Sequence, residues 1–175
     1  MKRNSGILLH PSSLPDSPIC GSFGKAARQW LFNLAESGIG VWQFLPLAPP
    51  DTFGSPYSSP SSFAFNPWFL DENDLVEKGF LANNLDDFSF NADVLDNRVD
   101  FKSANLRVKS LIYSLLDYWE QQNTNTKEEF EIWCKEQFWL DDHSLFMELR
   151  IQNNNLPWWK WPNELAAYDK RELAN

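Results

Sequence analysis

Two short apolar runs, Gly6-Ile7-Leu8-Leu9 and Val41-Trp42-Gln43-Phe44-Leu45, bracket one amphipathic segment near the start of the chain. Proline closes both runs, at His10-Pro11 and at Pro46. Runs this short and this apolar fit strands buried on both faces. Between them Ala27, Trp30, Leu31, Leu34 and Ala35 recur with the spacing of one helical face, which predicts a helix over 25–37. Ser22 is the expected cap of its start, and Gly38 the residue that ends it. Strand, helix and strand in this order make a βαβ unit, with parallel strands and a right-handed crossover. The fold class expected from this start is α/β.

After the second strand the chain changes character. Residues 49–67 have no usable periodicity, and Ser55-Pro56-Tyr57-Ser58-Ser59-Pro60-Ser61-Ser62 can continue neither a helix nor a central strand. This loop leaves the C-terminal end of the second strand, the edge where parallel α/β folds place their ligands. The remainder reads as helical. Val108, Leu111, Ile112, Leu115, Leu116 and Trp119 predict a helix over 104–121. Phe130, Trp133, Cys134 and Phe138 predict a second over 128–138, and Leu145, Phe146 and Leu149 a third over 142–151. Leu156-Pro157-Trp158-Trp159-Lys160-Trp161-Pro162 breaks the pattern, and a further helical segment runs from Glu164 to Asn175. A closed (β/α)₈ barrel takes about 250 residues, so 175 residues that end in a helical segment are expected to be the N-terminal part of something longer.

Charge narrows the partners. Against 15 Lys+Arg stand 24 Asp+Glu, a net −9, whereas phosphate backbones and anionic membranes both select basic surfaces. Neither nucleic acid nor a membrane is an expected partner. Ile7 to Leu9 is too short for the apolar region of a signal peptide, so a cytoplasmic protein is expected. Cys20 and Cys134 belong to no CxxC or Cys/His cluster and are expected to be two buried free thiols. His10 and His143 cannot make a zinc site alone, and no metal site is expected.

Several segments, in order, resemble the 4-α-glucanotransferases called amylomaltase or disproportionating enzyme, glycoside hydrolase family 77. Ser5-Gly6-Ile7-Leu8-Leu9-His10-Pro11-Ser12-Ser13-Leu14-Pro15 resembles that family's first barrel strand and the loop after it. Trp42-Gln43-Phe44-Leu45-Pro46-Leu47 is similar to its second strand, and Ser55-Pro56-Tyr57 with Asn66-Pro67 to its substrate loop. Asp74 to Leu81 and Arg98-Val99-Asp100-Phe101 continue the likeness. The most specific stretch is Phe138 to Leu149, followed by Leu156-Pro157-Trp158 and Trp161-Pro162. The resemblance implies the first two strands and first helix of a (β/α)₈ barrel over 1–70, including the substrate loop 49–67. A helical insertion subdomain, cut short at its C-terminus, would follow over 71–175. It implies retaining transfer of α-1,4-glucan segments between maltooligosaccharides, with no cofactor. That chemistry needs two carboxyl groups about 5–5.5 Å apart, one as nucleophile and one as acid then base. In the family these lie on later strands, so none of the catalytic carboxylates is expected in this chain. Two departures are visible: the acidic residue common before the loop's Ser-Pro-Tyr is absent at Gly54-Ser55, and Phe101 stands where the family often has tyrosine.

The resemblance makes Tyr57 the foremost substrate-binding candidate, since a phenol offers a flat apolar face to a sugar ring and a hydroxyl to its oxygens. Without it, Tyr57 would read as an ordinary packed loop residue. Ser55 could bond a glucose hydroxyl or simply hold the turn. His10 ends a strand, and a hydrogen bond within its own loop is expected of it. Trp158, Trp159 and Trp161 could stack on sugars, but closing a helical core is the expected role. Asp86-Asp87 and Asp141-Asp142 are adjacent residues, expected to be solvated or to sit at a helix N-terminus. Asp16 and Asp51 lie in strand-end loops with no partner visible in sequence. Two other readings compete with the enzyme: a non-catalytic carbohydrate-binding module that stacks glucan on aromatic residues, and a helical interaction protein with an exposed Trp patch.

Overall fold

In the computed structural model, which describes residues 3–15, 19–51, 53–82 and 98–168, Gly6–Leu8 (β1) and Val41–Gln43 (β2) pair in parallel. Gly6 faces Val41, Ile7 faces Trp42 and Leu8 faces Gln43. The Leu9 N–H extends the pairing by donating to the Gln43 carbonyl at 3.0 Å. Lys25–Glu36 (α1) connects the strands, and Gly38 ends it in the left-handed region at φ +70°, as the sequence predicts.

Two expectations about this unit need correction. Ser22 does not cap α1: Gly24 is the N-cap residue and makes no side-chain cap bond. The Ser22 hydroxyl donates instead to the Asp71 carboxylate at 2.5 Å. A side chain at position 24 would overlap that carboxylate, so glycine there admits a negative charge beside the helix start, where the helix dipole favours it. Nor are the strands buried on both faces. Leu8 is 58% exposed and Val41 46%, because the sheet has only these two strands among the described residues. The stripe on α1 is likewise half covered, with Ala27 and Leu34 buried but Leu31 and Ala35 exposed. The covered side is aromatic. Trp42 donates its indole N–H to the Leu9 carbonyl at 2.7 Å and meets Trp30 and Phe44 edge to face at 6.4 and 5.5 Å.

Phe101–Glu120 (α3) supplies the next layer. It starts before the predicted 104 because Asp100 caps it, accepting from the Lys102 and Ser103 N–H groups and the Ser103 hydroxyl. Those bonds, led by the hydroxyl, hold the Asp100 carboxyl below its ordinary pKa. Ala104 and Val108 of α3 join Ile19, Cys20 and Trp68 in the core, with Val99 and Phe101 packed against it. Burial covers the first half of the predicted stripe, since Leu111 is buried while Ile112 and Leu116 are exposed. The turn Pro67–Phe69 is clamped onto α3: the Trp68 indole donates to Asn105 at 2.9 Å, and Arg107 donates to the Trp68 carbonyl at 2.8 Å. Arg107 also meets Glu72 at 3.5 Å, on the short helix Glu72–Glu77 (α2) capped by Asp71.

The chain packs as two compact units, Met1–Lys127 and Glu128–Asn175. Thr124–Glu136 (α4) starts earlier than predicted because the Asn123 side chain accepts the Thr126 N–H at 3.0 Å. Leu140–Gln152 (α5) ends where Asn154 and Asn155 take positive φ. Asp141 and Asp142 lie in its first turn and are exposed, as expected. Of the three tryptophans expected to close a core, only Trp161 does so, with its ring against Phe146 at 5.4 Å and its N–H on the Leu156 carbonyl. Trp158 and Trp159 stand exposed on the 3₁₀ turn Trp158–Lys160. Asn163–Ala166 (α6) is shorter than the predicted helical segment 164–175: it ends at its C-cap Ala167, with Tyr168 in the left-handed region at φ +57°. Residues past Tyr168 lie outside the described residues, as do Asp16, Asp86 and Asp87. Neither cysteine is in a disulfide, but only Cys20 is buried; Cys134 is half-buried.

Two measurements check this packing. Arg107→Ala leaves the Trp68 carbonyl without its donor inside the core, and urea denaturation is expected to show a loss of about 3 kcal/mol. Burial pushes the Cys20 thiol up to about 11, so an alkylating reagent at pH 8 is expected to modify Cys134 and leave Cys20 intact in the folded chain.

Candidate functional site

The loop after β2 is shaped by short polar side chains acting on their own backbone. The Asp51 carboxylate accepts the N–H groups of Phe53 and Ser55, both at 2.9 Å, and the Asp51 carbonyl accepts that of Gly54. Asp51, partnerless in the sequence reading, therefore organises the turn that presents Ser55 and Tyr57. A second turn closes behind it, with the Ser58 N–H on the Ser55 carbonyl at 3.2 Å. Ser59 donates to the Ser61 carbonyl, and the Ser61 hydroxyl accepts from Phe63 and Ala64. The Asn66 side chain accepts the Trp68 N–H and caps the turn Pro67–Phe69. Serine abundance in this stretch is thus a set of local turns in place of secondary structure.

The structure brings Ser55 and Tyr57 onto one short arc. Ser55 is half-buried and its backbone is committed to the turn, while the Tyr57 ring stands 73% exposed. Their neighbours Gly54 and Pro56 border a cavity of about 210 Å³ at the C-terminal ends of the strands, shared with His10, Ser12, Asn66, Trp68 and Phe101. A larger cavity of about 390 Å³ lies among Phe23, Phe65, Phe69, Leu75 and Phe80, with Asp71, Asp74 and Lys78 at its polar side.

His10 is hydrogen-bonded within its own loop, as expected, and does more there than composition reveals. Its Nδ1 accepts from the Ser12 backbone N–H and lies 2.8 Å from the Ser12 hydroxyl, so the imidazole caps the 3₁₀ turn Pro11–Ser13. Its Nε2 points at the Pro46 carbonyl, in the segment that follows β2, a long contact of 3.5 Å. The network assigns the neutral tautomer with the proton on Nε2. Burial lowers the His10 pKa, partly opposed by the Pro46 carbonyl. His143, on α5, is also lowered by burial and meets Trp139 edge on.

The carboxylates near the larger cavity already have structural partners. Arg28 on α1 forms a two-pronged pair with Asp74 at 2.6 and 2.8 Å, which holds the Asp74 carboxyl below its ordinary pKa. Asp71 caps α2 and takes the Ser22 hydroxyl. Among the described residues no group of three or more His, Cys, Asp or Glu could hold a metal ion, and no helix is long and apolar enough to cross a membrane. The sequence gives Asn66 and Gly54 only as parts of the loop's likeness, without their structural roles, and does not single out Arg107. Asp51-x-Phe53-Gly54, an acidic residue ahead of a glycine turn, was the readable signal.

The histidine geometry has a pH consequence. Because the folded His10 pKa lies below the ordinary 6.5, the fold prefers the neutral ring. That stabilisation is fully present above the unfolded pKa and is lost as pH falls through the folded one. The melting temperature is therefore expected to fall between pH 7 and pH 5. His10→Asn keeps an acceptor for the Ser12 N–H without a titrating ring, and is expected to reduce that slope, with His143 supplying the remainder, read by thermal denaturation at each pH.

Comparison with known proteins places this geometry. The family profile Glyco_hydro_77, 4-alpha-glucanotransferase, matches residues 9–175. The 4-alpha-glucanotransferase of Synechocystis sp. is 39% identical, covering 98% of this chain and 34% of that protein. That of Thermus thermophilus is 35% identical, covering 99% and 34%. The amylomaltase from Streptococcus agalactiae in complex with acarbose superposes with a TM-score of 0.86 at 26% identity, over 99% of this chain and 35% of that one. The chain thus spans about a third of the length of the curated relatives it matches. A match to a catalytic family, and a βαβ start followed by helices, give no support to a free-standing carbohydrate-binding module. Profile, relatives and superposition agree along nearly the whole chain, which belongs to the 4-alpha-glucanotransferases of glycoside hydrolase family 77.

Proposed function

We propose that this chain is the N-terminal part of a 4-α-glucanotransferase that moves α-1,4-glucan segments between maltooligosaccharides by a retaining double displacement. In this reading residues 1–70 begin a (β/α)₈ barrel with its first two strands and first helix, and residues 71–175 begin a helical insertion. Ser55 and Tyr57 contact the glucan, and the catalytic carboxylates belong to later strands of the longer protein. The supporting observation is the Asp51-organised turn, which holds an exposed tyrosine beyond the C-terminal end of a parallel strand pair.

The chemistry divides accordingly. A carboxylate elsewhere attacks the sugar's anomeric carbon, and the leaving glucan takes a proton from a second carboxyl group. An acceptor sugar hydroxyl then displaces the enzyme carboxylate and returns the proton, so the linkage is regenerated with its original configuration. This chain contributes binding. The Tyr57 ring offers its face to a pyranose and its hydroxyl to a sugar oxygen, while the Ser55 hydroxyl bonds a neighbouring hydroxyl. Among the described residues, Asp71, Asp74 and Asp100 are engaged in caps and ion pairs, which supports placing the proton-transferring groups elsewhere.

Purified 175-residue chain incubated with maltotriose is expected to release no glucose, and the longer protein that carries it to disproportionate the same sugar. In that longer protein Tyr57→Ala is expected to raise KM about tenfold, with Tyr57→Phe between it and the parent. Glucose release by the isolated chain would overturn the assignment of the carboxylates. An unchanged KM in Tyr57→Ala would remove Tyr57 from the substrate site.

A further inference from the structure

Gly54 lies in the left-handed region, at φ +79°, in the turn that leads to Ser55 and Tyr57. A Cβ at this position would stand 2.5 to 2.7 Å from three adjacent atoms of the Phe101 ring, so the turn's backbone rests directly on that ring. The same ring stacks on Trp68, with centroids 5.2 Å apart and planes 18° from parallel. Trp68 is held by three hydrogen bonds: its N–H to Asn66, its indole to Asn105 and its carbonyl from Arg107. Phe101 itself is fixed as the first residue of α3, behind the Asp100 cap.

We infer that Phe101 and Gly54 are positioning residues for substrate binding: the Gly54–Phe101–Trp68 stack sets where the turn carrying Ser55 and Tyr57 sits. The inference rests on the proposed glucan contact of that turn. Its physical basis is the stiffness of the arc. Asp51 ties Phe53 and Ser55, and the Ser58 N–H ties back to the Ser55 carbonyl. A shift at Gly54 is therefore carried to Tyr57 as a displacement, not absorbed along the way. Glycine is required twice over at position 54, by the sign of φ and by the space the ring leaves. The first residue of the long helix α3 thus supports the substrate loop, although it follows that loop by a long stretch of sequence.

The test uses the longer enzyme that carries this chain, assayed with maltotriose, and compares Phe101→Ala, Phe101→Leu, Phe101→Tyr and Gly54→Ala with Tyr57→Ala. Phe101→Ala and Gly54→Ala are expected to raise KM about tenfold while kcat changes by less than about twofold, because misplacing a binding turn weakens association without touching the proton-transferring groups. Simple destabilisation would instead lower the active fraction, and hence apparent kcat, at constant KM. Phe101→Tyr keeps the flat ring and is expected to keep the parent KM. Phe101→Leu keeps bulk without a flat face and gives the answer where Phe101→Ala does not fold. In the Phe101→Ala/Gly54→Ala double variant the second substitution is expected to add little to the first, because both act at one contact. The inference fails if Tyr57→Ala raises KM while every Phe101 and Gly54 variant leaves it unchanged. If Tyr57→Ala itself has no effect, the substrate reading of the turn fails first, and this inference with it.

Discussion

Trp68 is the side chain on which the first unit depends. It sits in a one-turn 3₁₀ segment that could not hold its own place, yet it is 4% exposed. Its indole N–H, its amide and its carbonyl each have a partner, from α3 and from Asn66. Buried polar atoms are costly when unmatched, so this triple satisfaction fixes a single register between the turn and α3. From that register follow the positions of Phe101 and, through Gly54, of the loop above it. On the other side Phe69 meets Phe23 and His10, which connects the same turn to the ends of α1 and β1.

Arg107 is the charged member of this arrangement. Taking a guanidinium out of water costs several kcal/mol before any partner is found, and one long contact to Glu72 recovers little of it. Among the described residues its buried Nε has no hydrogen-bond partner, so the group is not optimised for stability alone. What it supplies is direction: a planar donor aimed at one carbonyl at 2.8 Å cannot be satisfied in a slipped register. The exposed Arg28–Asp74 pair has better geometry and contributes less, since water screens it.

Much of the scaffold was legible in the sequence because it follows periodic burial. The spacing of Ala27, Trp30 and Leu34 located α1, and the apolar runs located both strands. Helix starts were read late at α3 and α4 because the caps, Asp100 and Asn123, lie outside the apolar stripes that periodicity detects. Ser22 looked like a cap from its position but was drawn away by Asp71, a partner distant in sequence. Burial itself was over-read. Apolar stripes on β1, β2, α1 and the later half of α3 mark faces suited to packing, and the described residues cover only part of them. The candidate turn was legible in its position along the chain but not in its support. Tyr57 and Ser55 stand where the sequence put them, on a strand-end loop, whereas the Gly54–Phe101 contact joins residues that no local pattern relates.

The ionisable groups of the first unit point to one division of labour. A proton-transferring carboxyl needs a pKa raised towards neutrality, usually by burial beside apolar groups or another carboxylate. Here the resolved shifts of Asp74 and Asp100 run the other way, drawn down by Arg28 and by the Ser103 hydroxyl. His10 could be a base by its pKa, but its Nδ1 lone pair is occupied by the Ser12 N–H and its Nε2 proton faces a carbonyl. Its neutral ring is spent on holding a turn. The large side chains exposed around this turn are aromatic: the Tyr57 ring, with the rings of Phe53 and Phe65 near it in sequence. Exposed rings of this kind suit the flat apolar face of a sugar, which is the binding role proposed for this turn. The proposal therefore assigns binding to the region around Tyr57, and its support is physical: the resolved carboxylates here are drawn down in pKa, and the exposed side chain of the turn is an aromatic ring.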